Sequence, residues 1–185
     1  ARYDHTATLL PNGKVLITGG QNESGYPSSV ESYNPETNKW STLGDLNYSR
    51  SNHTPTLLPD DNVLLIVGGE NNSGALAKSE ALDLITKIWT PSNMKEARAN
   101  HTATLMADGK VVITGGQNDS GSVSSYEYYS TETTTWEFGL NRNLNIGRAN
   151  HTAVLLHDGT LLLTGGRNCT DFGKVYLLLG RPEAD

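Results

Sequence analysis

The side chains best equipped for chemistry in this sequence are four histidines, four arginines and a scatter of loop carboxylates. His5, His53, His101 and His151 recur at steps of 48, 48 and 50 residues. Gathered around one axis, four imidazoles would suit zinc or copper. No carboxylate or thiolate is spaced to complete such a site, and the alternative is a repeated signature histidine bonded to nearby backbone. Arg2, Arg50, Arg98 and Arg148 sit just before the histidines. They would hold an anion if exposed, so they are binding-face candidates; otherwise each pairs with a carboxylate such as Glu31, Glu80 or Glu127. Glu23, Glu70, Asp119 and Asp171 give one carboxylate per loop, which is thin for calcium. Cys169 is the only cysteine, so no internal disulfide exists, and no base stands beside it in sequence. A catalytic site breaks the symmetry of a repeat, because one position needs a nucleophile and another a base. Nothing here does so. No catalytic residue, metal or cofactor is assigned, and the chain reads as a non-enzyme.

A second chemistry is modification. Eight Asn-x-Ser/Thr sequons occur, at Asn22, Asn47, Asn52, Asn71, Asn100, Asn118, Asn150 and Asn168. Such sites accept N-glycans only in the secretory pathway and only where accessible. All except Asn47 fall into two repeated registers, Gly-Gly-x-Asn-x-Ser/Thr and Asn-His-Thr, so duplication made most of them. The competing reading is that Asn and Ser are good turn residues. The loop register (Asn22, Asn71, Asn118, Asn168) is expected to be exposed. The Asn-His-Thr register adjoins a strand, and Pro55 makes Asn52 its poorest acceptor.

The elements that must position these residues come from one stretch written four times: HTATLLPNGKVLITGG (His5–Gly20), HTPTLLPDDNVLLIVGG (His53–Gly69), HTATLMADGKVVITGG (His101–Gly116) and HTAVLLHDGTLLLTGG (His151–Gly166). A period near fifty marks a propeller or solenoid. Each repeat reads as four strands. The first alternates Thr with apolar residues, and a turn follows at Asn12-Gly13, Asp108-Gly109 or Asp158-Gly159, dipeptides suited to type I′ hairpins. Repeat two has Asp60-Asp61-Asn62 there. The second strand is aliphatic, as for burial on both faces, and closes on a glycine pair suited to positive φ or close approach. After a polar loop, the third strand carries Glu31, Glu80 or Glu127, and the fourth starts near Trp40, Trp89 or Trp136. With strands alternating in direction, the loops after Gly-Gly and the links before each histidine share one face. That face holds both sequon registers and all four arginines.

The glycine pair, the later Glu-x-Tyr type position and the tryptophan together resemble the kelch repeat, one blade of a β-propeller. The wording HTATLLPNGKVLITGG is most similar to the kelch blades of galactose-oxidase-like propeller domains. The resemblance covers residues 1–176. Two departures stand out: repeat two has Ala81-Leu82 where repeat one has Ser32-Tyr33, and repeat four lacks the tryptophan. The resemblance implies an all-β kelch-type propeller of four blades of four antiparallel strands, the fourth incomplete, with essentially no helix. It is a single propeller or half-propeller domain over 1–185, with blades at about 1–48, 49–96, 97–146 and 147–180 and a tail at 181–185. The fourth blade offers a third-strand candidate at Lys174–Leu179 and no fourth strand. A compact four-bladed ring, half of a larger ring completed by a second copy, and a unit of an extended assembly all fit. The resemblance also makes the loop face the first place to look for a ligand. The copper chemistry of galactose oxidase needs a cross-linked Tyr–Cys pair and irregular insertions, which these short, near-identical loops lack.

The totals exclude some partners. The formal charge is −6 with no basic stripe, which disfavours nucleic acid and anionic membrane surfaces. No apolar run nears the roughly 18 residues of a membrane span. The first residues, ARYDH, already lie inside a repeat, so the natural N-terminus is expected upstream. Near-identical repeats, open strand edges and abundant sequons favour an extracellular, N-glycosylated structural or self-assembling module, or one that binds an extracellular protein or glycan. A carbohydrate- or protein-binding propeller, an intracellular kelch adaptor and a fragment of a copper enzyme are the alternatives.

Overall fold

The computed structural model describes residues 1–60, 62–139, 143–168 and the backbone of strand 177–179. Cys169, Asp171, Asp61 and the tail at 181–185 lie outside the described residues. Blade 1 comprises β1 (Thr6–Leu9), β2 (Val15–Thr18), β3 (Ser29–Asn34) and β4 (Lys39–Asp45) in that spatial order. Blade 2 contains β5 (Thr54–Leu57), β6 (Val63–Val67), a two-residue hairpin β7 (Glu70–Asn71) and β8 (Gly74–Ala75), then β9 (Lys78–Asp83) and β10 (Trp89–Asn93). Blade 3 repeats this with β11 (Thr102–Leu105), β12 (Val111–Thr114), β13 (Gln117–Asn118), β14 (Gly121–Ser122), β15 (Tyr126–Ser130) and β16 (Thr135–Phe138). Blade 4 contributes β17 (Ala149–Leu155), β18 (Leu161–Arg167) and β19 (Leu177–Leu179). All pairings are antiparallel, and no helix occurs among the described residues. The fold is thus the all-β arrangement of propeller blades that the repeats imply.

The hairpins depart from the type I′ expectation. Only the glycine of each turn (Gly13, Gly109, Gly159) has positive φ, whereas type I′ needs two such residues. Instead each glycine N–H donates to the carbonyl three residues back, at Leu10, Met106 or Leu156. The Asn12, Asp108 or Asp158 side chain accepts the N–H two residues on. This is a type I turn with a left-handed glycine, and Pro11, whose ring fixes a negative φ, fits its second position.

Blades pack face to face through alternate residues. Leu10, Leu16, Val30 and Leu46 of blade 1 meet Leu64, Ile66 and Leu82 of blade 2, with Trp89 half-buried beside them. Leu58, Leu65, Val67 and Met94 then meet Val111, Ile113, Tyr129 and Trp136 of blade 3, and Met106, Val112 and Leu144 meet Leu161 and Leu163 of blade 4. The second strands of blades 2 and 3 are buried on both faces. β2 alternates instead, with Leu16 and Thr18 buried and Val15 and Ile17 partly open, because its other face has no neighbour among the described residues. Innermost strands touch in order, β1 to β5, β5 to β11 and β11 to β17.

Candidate functional site

The arginines are set by the chain just before the innermost strand, and each folds onto its own blade. Arg50 Nη1 donates to the carbonyls of Gly68 and Lys78, and Nη2 meets Glu80 Oε1 at 2.7 Å. Arg98 repeats this on Gly115, Ser125 and Glu127 Oε1, the last at 2.8 Å. Both guanidiniums and both carboxylates are fully buried, so they present no surface to a ligand. Burial pulls the Arg50 pKa down, and Glu80 opposes the shift. Arg2 makes the same set of contacts, to Gly19, Ser29 and Glu31, but with Glu31 partly exposed. Arg148 donates to Gly165. The carboxylates also collect backbone donors from the link: Glu80 accepts from Asn47 and Tyr48, and Glu127 from Lys95 and Glu96. Pairing with Glu31, Glu80 and Glu127, rather than anion capture, is what the arginine geometry provides.

The histidines do not converge on an axis. His53, His101 and His151 each reach back into the preceding blade, where His53 Nε2 meets Thr6 and Thr18 hydroxyls at 2.8 and 3.0 Å. His101 meets Thr54 at 2.8 Å, and His151 meets Thr102 and Thr114 at 3.0 and 3.1 Å. The Nε2 partners are therefore threonine hydroxyls of the preceding blade, two for His53 and His151 and one for His101. Burial holds these imidazoles neutral, with the adjoining arginine adding to it: His53 falls to about 3 and His151 to about 4, while His101 lies well below its ordinary value. The threonines were missed in the sequence, although a signal existed. Thr6 with Thr18, Thr102 with Thr114 and Thr152 with Thr164 stand directly opposite in register, and repeat two breaks the pattern with Val67. Among the described residues no three His, Cys, Asp or Glu side chains gather as for a metal ion.

The face shared by loops and links is directly visible in pairing: Tyr3 bridges Gln21, Ser51 bridges Glu70 and Ala99 bridges Gln117. In blades 2 and 3 the polar loop is itself a hairpin, closed by an Asx turn in which Asn71 or Asn118 accepts from Ser73 or Ser120 N–H. Asn22 does the same with Ser24. Asn71 Nδ2 donates to the Ser49 carbonyl and Asn118 Nδ2 to the Ala97 carbonyl, tying each loop to its link. The tips Glu23, Ser24, Asn72, Ser73, Asp119 and Ser120 are exposed. Asn72 lies over Gly25, and the Asp119 carboxylate over Gly74, where a Cβ would come within 3.0 Å of it. Glu70 is engaged by Asn52 Nδ2 at 2.9 Å. Of the link sequons, Asn150 is exposed, Asn52 and Asn100 are half-buried with φ of 53° and 55°, and Asn47 is exposed while donating to Glu80. Asn168 is half-buried. A separate groove of about 480 Å³ runs between blades 2 and 3, lined by Leu58, Pro59, Thr90 and Tyr129.

Stacked antiparallel sheets joined by a repeated His–Thr contact, the middle two each stapled by a buried Arg–Glu pair, define a propeller-blade repeat protein. The family model of the KLHDC2/KLHL20/DRC7 Kelch-repeats domain matches residues 2–179, and the chain belongs to that family of kelch repeats. Kelch-repeat domains are protein-binding modules, generally without catalysis. No curated protein matches the chain.

Proposed function

We propose that this chain is a secreted, N-glycosylated kelch-repeat module. In this reading it works structurally, by self-association or by holding an extracellular protein or glycan, and it performs no catalysis. The observation that carries the proposal is how the reactive side chains are used. His53, His101 and His151, Arg50 and Arg98, and Glu80 and Glu127 are spent between and within blades, which leaves the exposed loop tips and links as available surface. That surface is where the sequon registers recur, with Asn22 in a loop and the exposed Asn150 in a link as the best-placed acceptors. Chains decorated there would be shielded on one side and would associate through their blade faces.

The test is the intact mass of the protein from its natural source, before and after enzymatic removal of N-glycans. A mass that falls on treatment by the weight of several glycans is expected. A mass unchanged by treatment overturns the secreted, glycosylated reading.

A further inference from the structure

The groove between blades 2 and 3 is lined from the β5–β6 turn, the end of β9, the start of β10 and the β15–β16 turn. These lie at the ends of the strands opposite the Gly-Gly loops, so the sequon registers do not cover it. Its volume of about 480 Å³ falls in the range of small-ligand pockets, roughly 300–1,000 Å³. Residue size opens it at this junction rather than the next. Ala81 pairs with Leu65 in blade 2 as Tyr128 pairs with Val112 in blade 3. The Tyr128 ring packs into the core between blades 3 and 4, whereas the Ala81 methyl group leaves the matching space between blades 2 and 3 open.

The groove holds one buried polar group that the protein leaves unused. Tyr129 is 5% exposed and lines the groove, and its hydroxyl has no hydrogen-bond partner among the described residues. In blade 1 the matching Tyr33 hydroxyl donates to Asn38 Oδ1. Thr134 takes the place of Asn38 in blade 3, with φ 55° against 53°, but its own hydroxyl donates to the Thr133 carbonyl. Burial raises the Tyr129 pKa, so the phenol keeps its proton and remains a donor. A buried donor of this kind gains from any ligand that brings an acceptor. Charge in the groove is one-sided. Asp60 and Asp83 line it, both from blade 2, and no Lys or Arg is among the described lining residues. Lys87, on the same turn as Asp83, donates to the Leu84 carbonyl. Leu58, Pro59 and Val63 supply apolar wall.

We propose that this groove binds an extended basic peptide segment of a partner protein. An apolar side chain enters over Ala81, a neighbouring backbone carbonyl accepts from the Tyr129 hydroxyl, and flanking Lys or Arg side chains meet Asp60 and Asp83. An extended backbone supplies the acceptor that Thr134 withholds. The two carboxylates select the sign of the partner, since an acidic segment would meet like charge on both sides of its anchor. The proposal rests on the binding arm of the proposed function and not on secretion or glycosylation, so its failure leaves the glycan mass result untouched.

The test is titration of the isotope-labelled full chain with the end-blocked peptide Gly-Arg-Leu-Arg-Gly, and with the same peptide carrying Ser or Glu in place of Arg, followed by amide chemical shifts. The Arg peptide should move the Ala81, Thr90 and Thr131 amides. It should half-saturate at about tenfold lower concentration than the Ser peptide, which is what two exposed ion pairs together supply. The Glu peptide should bind more weakly than either. Tyr129→Phe removes only the hydroxyl and should weaken the Arg and Ser peptides alike, by about threefold to tenfold. Asp60→Asn combined with Asp83→Asn should make the Arg and Ser peptides equal, while Asn keeps the side-chain oxygen that accepts the turn N–H groups at both positions. Ala81→Tyr fills the space as Tyr128 does in blade 3 and should abolish binding of every peptide. Tyr129→Phe and the Asp pair barely change volume, so they decide the matter even where Ala81→Tyr disturbs packing. No shift with any peptide, shifts centred on the loop tips, a preference for Glu, or an Arg preference that survives the double Asp variant overturns the proposal.

Discussion

Trp40 and Trp136 occupy the same register of blades 1 and 3, stack on a tyrosine in the same way, and follow the same turn, yet only Trp136 is buried. Its indole N–H reaches Ser79 of blade 2 at 2.8 Å, while the matching face of blade 1 meets no neighbour among the described residues. Ile113 is likewise buried where Ile17 is partly open, and the Arg98–Glu127 pair is dry where Glu31 is 42% exposed. The repeat therefore specifies each blade's internal geometry without a neighbour, and the neighbour decides how much energy that geometry holds. In repeat arrays, stability is roughly a sum of unit and nearest-neighbour terms, which makes the two blades a matched pair for measurement.

The largest difference is expected at the tryptophans. Trp136→Ala empties a packed site between blades 2 and 3 and should lower unfolding stability by about 4 kcal/mol. Trp40→Ala in dilute protein should cost less than about 0.5 kcal/mol, as exposed substitutions do. Urea unfolding followed by far-ultraviolet circular dichroism measures both. Equal losses would mean that the exposed face of blade 1 is covered in solution.

The ion pairs should split next. Glu80→Ala leaves Arg50 as a buried charge and strips acceptors from Asn47 and Tyr48, so a loss of about 3 kcal/mol is expected. Glu31→Ala, at the partly solvated end of its pair, should cost under about 1 kcal/mol. If the two losses match, the surroundings are not what separates the blades.

Much of this frame is legible in the residues. Four copies of HTxTLL…GG place the inner strands, and the glutamates, arginines and tryptophans recur at fixed offsets from them, so blade content follows from repetition. What repetition hides is which blade a side chain serves. The arginine turns inward to its own blade and the histidine turns back to the previous one, though three residues apart, because the intervening Asn takes a left-handed φ that redirects the chain. The loop asparagines show the same limit. Asn71 satisfies the sequon pattern and the turn pattern together, and only its donation to the Ser49 carbonyl shows that it ties the loop to the link. Which threonines matter was equally hidden, since Thr6 and Thr8 look alike in sequence, yet the Thr6 hydroxyl meets His53 while the buried Thr8 hydroxyl meets no hydrogen-bond partner among the described residues.

The histidines give the smallest effect per residue and the most direct test of the junctions. In the folded chain His53 holds its proton only below about 3 and His151 only below about 4, with His101 also far down, because protonation would put a charge between two packed blades beside an arginine. In the unfolded chain all three bind a proton near the ordinary 6.5. Between those values the unfolded state carries the extra protons, so stability falls as pH falls through 6.5 toward 4, and these groups leave it level above about 7. His53 and His151 should each remove about 2.5 kcal/mol by pH 4.5, with His101 acting in the same direction. His53→Gln should flatten that slope by roughly a third, being one of three such groups, whatever it does to stability at neutral pH. A slope indifferent to His53→Gln would mean that the junction histidines are solvated, and the comparison of covered with uncovered blades would lose its electrostatic half.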